Sequence, residues 1–231
     1  MSQGNFNGGN FNGLIAKSFR VGLDYEFWPA LSAEATCKTL IVLHGRGDRG
    51  EGFHWLPEAL NIESFNYLFL DAPDAYGGGF SWYGIPPNQG PGILRSRQLL
   101  WRLVEQLQIQ CGLRSSDIFL FGFSQGCLMS LDFGLRFSKP LGGIVGSSGY
   151  VFFGEEYPSS FSPILSSQRM FVTHGTQDDM LPIEKTRASI KRLQELGAPI
   201  DWREYEKPHT VDPIEEIPDI RAFYMRLLDA S

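Results

Sequence analysis

The stretch that most restricts how this chain can fold is the apolar run Ile118-Phe119-Leu120-Phe121. It ends in Gly122-Phe123-Ser124-Gln125-Gly126 and continues into the helix-prone Cys127-Leu128-Met129-Ser130-Leu131. A short apolar run bounded by glycine reads as a buried strand, and the segment after it reads as a helix. So tight a junction strains the residue at its apex, and the flanking glycines leave the backbone room for it. Ser124 is therefore either a nucleophile lifted above the end of a sheet or an N-cap serine at an ordinary strand-to-helix turn. What separates the two is whether a base, an orienting acid and an oxyanion site occur in workable order.

The rest of the chain alternates strand and helix signals. A short buried strand over 38–43 ends in His44-Gly45-Arg46-Gly47-Asp48, and a helical stretch over 52–60 carries Phe53, Trp55 and Leu56. Another strand over 66–70 runs into Asp71-Ala72-Pro73. An amphipathic helix over 93–110 places Leu99, Leu100, Leu103, Val104 and Leu107 on one stripe and closes at Gly112. Strands over 141–146, 170–173 and 200–205 follow, with a helix over 182–196 stopped by Gly197 and a last helix over 214–228 turning Ile220, Phe223 and Leu227 inward. This order specifies an α/β fold, a mainly parallel sheet with helices on both faces. Two apolar runs over 14–21 and 25–31, separated by Gly22-Leu23-Asp24, read as a hairpin at its edge.

At 231 residues the chain suits one such domain, expected over 14–231, behind a Gly/Asn-rich tail over 1–13 in which Gly-Asn-Phe-Asn-Gly occurs twice. The Gly- and Pro-rich segment 74–92 is expected to be a long loop. Its Phe80, Trp82, Tyr83 and Ile85 either form a surface near a site or anchor the loop to the core. The irregular segment 147–168 has Tyr150, Phe152, Phe153 and Phe161 for an apolar wall or partial lid. With 20 Lys and Arg against 26 Asp and Glu, the net charge of -6 and the lack of a basic block argue against a nucleic-acid partner. Cys37, Cys111 and Cys127 are odd in number and widely spaced, as expected of free thiols in a reducing compartment. No metal-ligand spacing appears, and neither a metal nor a cofactor is expected. Residues 1–13 lack the charged and apolar regions of a leader, and no apolar run is long enough to span a bilayer, so a cytoplasmic protein is expected.

In a parallel sheet, ligands gather beyond the carboxyl ends of the strands, where this sequence puts its reactive side chains. Ser124 comes first, then Asp178 and Asp179, then His209, the chain order of α/β-hydrolases. A serine hydroxyl needs an imidazole to take its proton. His44 and His174 each precede a glycine at a strand end and read as turn-holding residues, and His54 reads as surface or packing. His209 is then the base, or else a cap before the last helix. Asp178 and Asp179 are both in reach as the acid, whereas Asp48, Asp71, Asp117 and Asp212 read as loop and cap carboxylates. Two backbone donors are expected for an oxyanion, the N–H of Gln125 and that of Arg46. The Arg46 side chain either pairs with Asp48 on the surface, the reading favoured, or binds a substrate carboxylate or phosphate.

Four motifs resemble the phospholipase/carboxylesterase group of α/β-hydrolases, which includes acyl-protein thioesterases. They are Leu43-His44-Gly45-Arg46-Gly47-Asp48, Gly122-Phe123-Ser124-Gln125-Gly126, His174-Gly175 with Asp178 and Leu181-Pro182, and a histidine before the last helix; Ser81-Trp82-Tyr83 resembles the group's tryptophan-containing loop. The resemblance implies an α/β-hydrolase fold, a triad of Ser124, Asp178 and His209, oxyanion donors at Arg46 and Gln125, and Trp82 as a substrate-binding residue. Thr176 and Pro208 depart from it, since many relatives have an acidic residue and a small residue there. The activity implied is that of a serine hydrolase acting on small-molecule carboxylic esters, acyl thioesters or lysophospholipids. Alternatives are a non-catalytic binding protein on the same fold, or a lactone hydrolase or peptidase of the superfamily.

Overall fold

Alternation along the buried strands sorts the apolar side chains onto two faces of one sheet. The computed structural model describes residues 22–32, 38–153 and 161–230. The tail over 1–13, the first half of the expected hairpin and Cys37 lie outside them. The strands are β1 (Tyr25–Trp28), β2 (Thr39–Leu43), β3 (Asn66–Leu70), β4 (Asp74–Tyr76), β5 (Gly79–Ser81), β6 (Ile118–Phe123), β7 (Gly143–Ser147), β8 (Met170–Gly175) and β9 (Ile200–Tyr205). The helices are α1 (Leu56–Leu60), α2 (Gly90–Cys111), α3 (Gln125–Arg136), α4 (Ile183–Glu195) and α5 (Glu216–Asp229). Seven strands form the main sheet in the order β1-β3-β2-β6-β7-β8-β9, all parallel except β1, which runs antiparallel to β3.

On one face Ile41, Leu43, Ile118, Leu120, Ile144 and Val172 pack with Leu100, Leu103 and Val104 of α2, Leu128 and Leu131 of α3, and Ile190 and Leu193 of α4. The other face is aromatic. Leu40, Val42, Phe119, Phe121 and Phe171 meet Leu56 and Leu60 of α1 and Ile217, Ile220, Phe223 and Tyr224 of α5. Phe65 sits edge-on to both Phe119 and Tyr224 at 5.0 and 5.4 Å, a geometry in which a positive ring edge meets a negative face. The Tyr224 hydroxyl, wholly buried, donates to the Leu120 carbonyl at 2.8 Å and so enters the core with its polar atom satisfied. Burying each such large side chain stabilises the fold by about 1.5–3 kcal/mol.

The chain crosses from β2 to β3 on one side and later returns to lay β6 on the other side of β2. The connections therefore diverge at the carboxyl ends of β2 and β6, where Leu43 pairs with Gly122, and open a crevice there. The turn after β2 and the turn after β6 meet across it.

Two sequence expectations change. The helix expected over 52–60 is a 3-10 turn over Gly50–Phe53 followed by α1, because Pro57 belongs in the first turn of a helix and restarts it. The segment 74–92 is not one open loop: β4 and β5 form a hairpin within it, and α2 begins at Gly90. The hairpin leans on the turn after β2, with the Gly47 N–H donating to the Phe80 carbonyl at 2.7 Å and the Phe80 N–H to the Asp48 carbonyl at 2.8 Å. Gly79 permits this approach, since a Cβ there would collide with the Gly47 and Asp48 carbonyls. The second half of the expected hairpin is β1, which pairs with β3; the first half lies outside the described residues.

Candidate active site

At the β6-α3 junction, Ser124 adopts φ 54° and ψ −113°, a conformation that costs a non-glycine residue about 1–3 kcal/mol. The surrounding backbone enforces it. A Cβ on Gly122 would collide with the Gly126 carbonyl, and one on Gly126 with the Leu43 carbonyl, so neither flanking glycine can be anything larger without moving main chain. The Ser124 N–H donates to the Ser147 carbonyl at the end of β7 at 2.9 Å, which ties the elbow to the adjacent strand. Ser124 stands at the N-cap position of α3 but makes no side-chain capping bond. Its Oγ lies 2.9 Å from Nε2 of His209 instead.

His209 comes from the β9-α5 connection, and its ring packs against Phe123 with centroids 5.0 Å apart. Nδ1 is 2.7 Å from Oδ2 of Asp178. An ionised carboxylate only accepts, so Nδ1 carries the proton and Nε2 is left as the acceptor facing the serine hydroxyl. The other Asp178 oxygen, Oδ1, accepts the N–H groups of Met180 at 3.0 Å and Leu181 at 2.8 Å, which orients the buried carboxylate. Asp179 is exposed. The structure thus brings together Ser124, Asp178 and His209 and leaves Asp179 outside.

Two of the other histidines, His44 and His174, hold turns. The Ala72 N–H donates to Nε2 of His44 at 3.0 Å, so Nδ1 bears the proton and donates to the Gly45 carbonyl at 2.6 Å. His44 is neutral in this arrangement, and burial pulls its pKa below the ordinary histidine value. His174 donates from Nε2 to the Leu181 carbonyl at 2.8 Å, bracing the loop that carries Asp178, and burial lowers its pKa too. His54 packs between Trp28 and Phe69 and lies 3.2 Å from Glu26. Cys127, fully buried behind the elbow, has its thiol pushed up to about 12 by desolvation and stays protonated.

Arg46 and Gln125 bring their backbone N–H groups to the facing turns, and among the described residues neither has a backbone acceptor. The side chains of this region differ from expectation. Arg46 does not pair with Asp48: its guanidinium lies 4.0 Å from the centre of the Tyr76 ring, because the β4-β5 hairpin brings that aromatic face onto the turn. Trp82 is completely buried and has no surface to offer a substrate. Its Nε1 donates to the His44 carbonyl at 3.0 Å, so it props the turn after β2 from beneath.

The sequence reading missed the side chain of Gln125. Its Oε1 accepts the Trp82 N–H at 3.0 Å and lies 3.1 Å from the Ser81 hydroxyl, while Nε2 donates to the Tyr83 carbonyl at 2.8 Å. One amide next to the nucleophile thereby clamps the Ser81-Trp82-Tyr83 loop. A polar residue beginning a buried helix was the available signal, as every residue of α3 is buried.

The chain matches the Phospholipase/Carboxylesterase family over residues 30–226. It is 32% identical over 237 aligned residues to acyl-protein thioesterase 1 of Emericella nidulans, covering 88% of this chain and 95% of that protein. With acyl-protein thioesterase 1 of Schizosaccharomyces pombe it shares 33% identity over 168 residues, 67% of this chain and 75% of the relative. The crystal structure of esterase PE8 has the same fold, with a TM-score of 0.78 at 24% identity over 89% of this chain and 99% of that one.

Proposed function

Because the chain belongs to the phospholipase/carboxylesterase family, we propose that it hydrolyses carboxylic esters or acyl thioesters through an acyl-enzyme on Ser124. The observation that carries this reading is the hydrogen-bonded chain from Ser124 Oγ to His209 Nε2 at 2.9 Å and from His209 Nδ1 to Asp178 Oδ2 at 2.7 Å. In the first half-reaction Ser124 Oγ attacks the acyl carbonyl carbon and Nε2 of His209 takes the hydroxyl proton. Asp178 holds the resulting imidazolium, and the N–H groups of Arg46 and Gln125 hold the oxyanion. Collapse breaks the bond to the alcohol or thiol, which leaves with the proton from His209. Water then repeats the sequence on the acyl-enzyme, giving the free acid and restoring Ser124.

The substrate is a small-molecule ester, thioester or lysophospholipid, processed by a single hydrolase domain over 14–231. Among the described residues no helix is long and apolar enough to cross a membrane. A cytoplasmic setting suits the buried, reduced Cys127. The test is hydrolysis of p-nitrophenyl esters and matched acyl thioesters of increasing chain length. Cleavage by the wild type, with an optimum at one length, is expected; failure to cleave any ester or thioester would move the chain to the non-catalytic reading.

A further inference from the structure

Behind His209 lies a buried charged pair that the proposed chemistry does not use. Lys207 is only 2% exposed, and Glu216, at the start of α5, is 0% exposed. The Lys207 ammonium has three protons and three acceptors: the Glu216 carboxylate, the Thr210 carbonyl at 2.7 Å and the Ser147 hydroxyl at 3.2 Å. Glu216 is equally committed. One oxygen accepts the Ser147 hydroxyl at 2.7 Å and the Thr173 hydroxyl, and the other accepts Lys207 and the Asp212 N–H at 2.8 Å.

These bonds join the loops that deliver all three members of the triad. Thr210 directly follows His209. Ser147, at the end of β7, accepts the N–H of Ser124 on its carbonyl while its hydroxyl meets the pair. The Lys207 carbonyl accepts the Gln177 N–H at 3.2 Å, one residue before Asp178. Fold stability alone does not call for this arrangement, since a well-packed apolar pair of similar volume does as well as, or better than, a buried ion pair. What a fully satisfied polar network adds is a single geometry.

We propose that Lys207, neutralised by Glu216, is a positioning residue that holds the His209 imidazole in line between Ser124 and Asp178 by locking the Thr210 carbonyl to the end of β7. Lys207 touches neither substrate nor the reacting atoms; it acts through the backbone that carries the base. Misplacing a catalytic group by about 1 Å costs on the order of 10²-fold in rate. Such a loss falls on kcat, because the surfaces that bind substrate are unchanged.

This inference rests on the ester-hydrolase reading, so the experiment begins with wild type and Ser124→Ala on one p-nitrophenyl ester; absence of wild-type turnover is a failure of that reading, separate from the outcome for Lys207. Lys207→Met, Lys207→Arg and Lys207→Met/Glu216→Leu are then assayed for kcat and KM, with rates divided by the concentration of sites titrated with a fluorophosphonate. Lys207→Met is expected to lose about 10²-fold in kcat with KM changed less than about twofold, and Lys207→Arg, which keeps the charge and its donors, to recover about tenfold of that. The double variant removes the stranded carboxylate and keeps the question answerable if the single variant does not fold; it too is expected to lose kcat. Wild-type kcat per titrated site in either folded variant, with only the melting temperature lowered, would overturn the proposal.

Discussion

Replacing Gln125 probes the site more sharply than its place beside the nucleophile suggests, because its backbone and side chain do separate work. The N–H stays in any variant, so Gln125→Ala leaves the proposed oxyanion donor in place. What disappears is the amide that accepts the Trp82 N–H at 3.0 Å and donates to the Tyr83 carbonyl at 2.8 Å. Both backbone groups belong to buried residues; the Tyr83 carbonyl keeps the Ser81 hydroxyl as a donor at 2.8 Å, so the group left without a partner is the Trp82 N–H, and a buried polar group left unpaired costs about 1–3 kcal/mol. The destabilisation is therefore about 1–3 kcal/mol, a sizeable share of a typical domain's stability. The damage should spread to activity, since Trp82 also donates to the His44 carbonyl at 3.0 Å and so sets the turn bearing the Arg46 N–H. Gln125→Glu separates the two bonds: a carboxylate still accepts from Trp82, but it sets an oxygen against the Tyr83 carbonyl and buries a charge. Urea unfolding at constant m-value gives the stability change, and hydrolysis of one p-nitrophenyl ester gives kcat/KM. Destabilisation below about 0.5 kcal/mol, the range of an ordinary surface change, together with wild-type hydrolysis, would refute the clamp.

Asp178→Asn should lower kcat by about 10⁴-fold, as loss of the orienting acid does in serine hydrolases, whereas Asp179→Asn at its exposed position should leave turnover within about twofold; equal effects on purified variants would reverse the assignment. Stability should fall as the solution is acidified below about pH 6.5. Burial lowers the folded-state pKa of His44 and of His174, so the unfolded chain takes up protons first, and the stability present above the ordinary histidine pKa is lost as pH falls through the folded values. Each histidine adds at most about 1.4 kcal/mol per pH unit, so with both taking part the slope in that window is positive and below about 2.7 kcal/mol per pH unit. Urea midpoints at several pH values from 7.5 to 5 measure it, and a flat series would show that the two imidazoles do not stay neutral in the fold.

The parts of this site that could be read from sequence are those whose signal is local. The run into Ser124, the flanking glycines and the order of Ser124, Asp178 and His209 all lie within short motifs, and the strands that carry them follow from hydrophobic periodicity. The parts that could not be read depend on contacts between distant segments. An aromatic loop has the same composition whether Trp82 covers a substrate or fills the core, and only its bonds to His44, Gln125 and Ser96 place it inside. Arg46 has Asp48 as a near neighbour in sequence, yet it stacks on Tyr76, thirty residues on. The three-residue strands β4 and β5 are too short to display a period. Lys207 carries the opposite message to its burial, because hydropathy assigns lysine to solvent, and its partner Glu216 is set by the path of the β9-α5 connection rather than by any spacing rule.

The central claim is that Ser124 is a nucleophile activated by His209. The most direct measurement is reaction of the intact protein with a fluorophosphonate, followed by mass spectrometry of the peptide holding residues 118–131 and by ester hydrolysis on the same sample. One phosphonyl group on Ser124 is expected, with complete loss of hydrolysis in step with labelling and no label on Ser124→Ala. Undiminished hydrolysis by the labelled protein or by Ser124→Ala, or a label that settles on another residue as activity is lost, would contradict it.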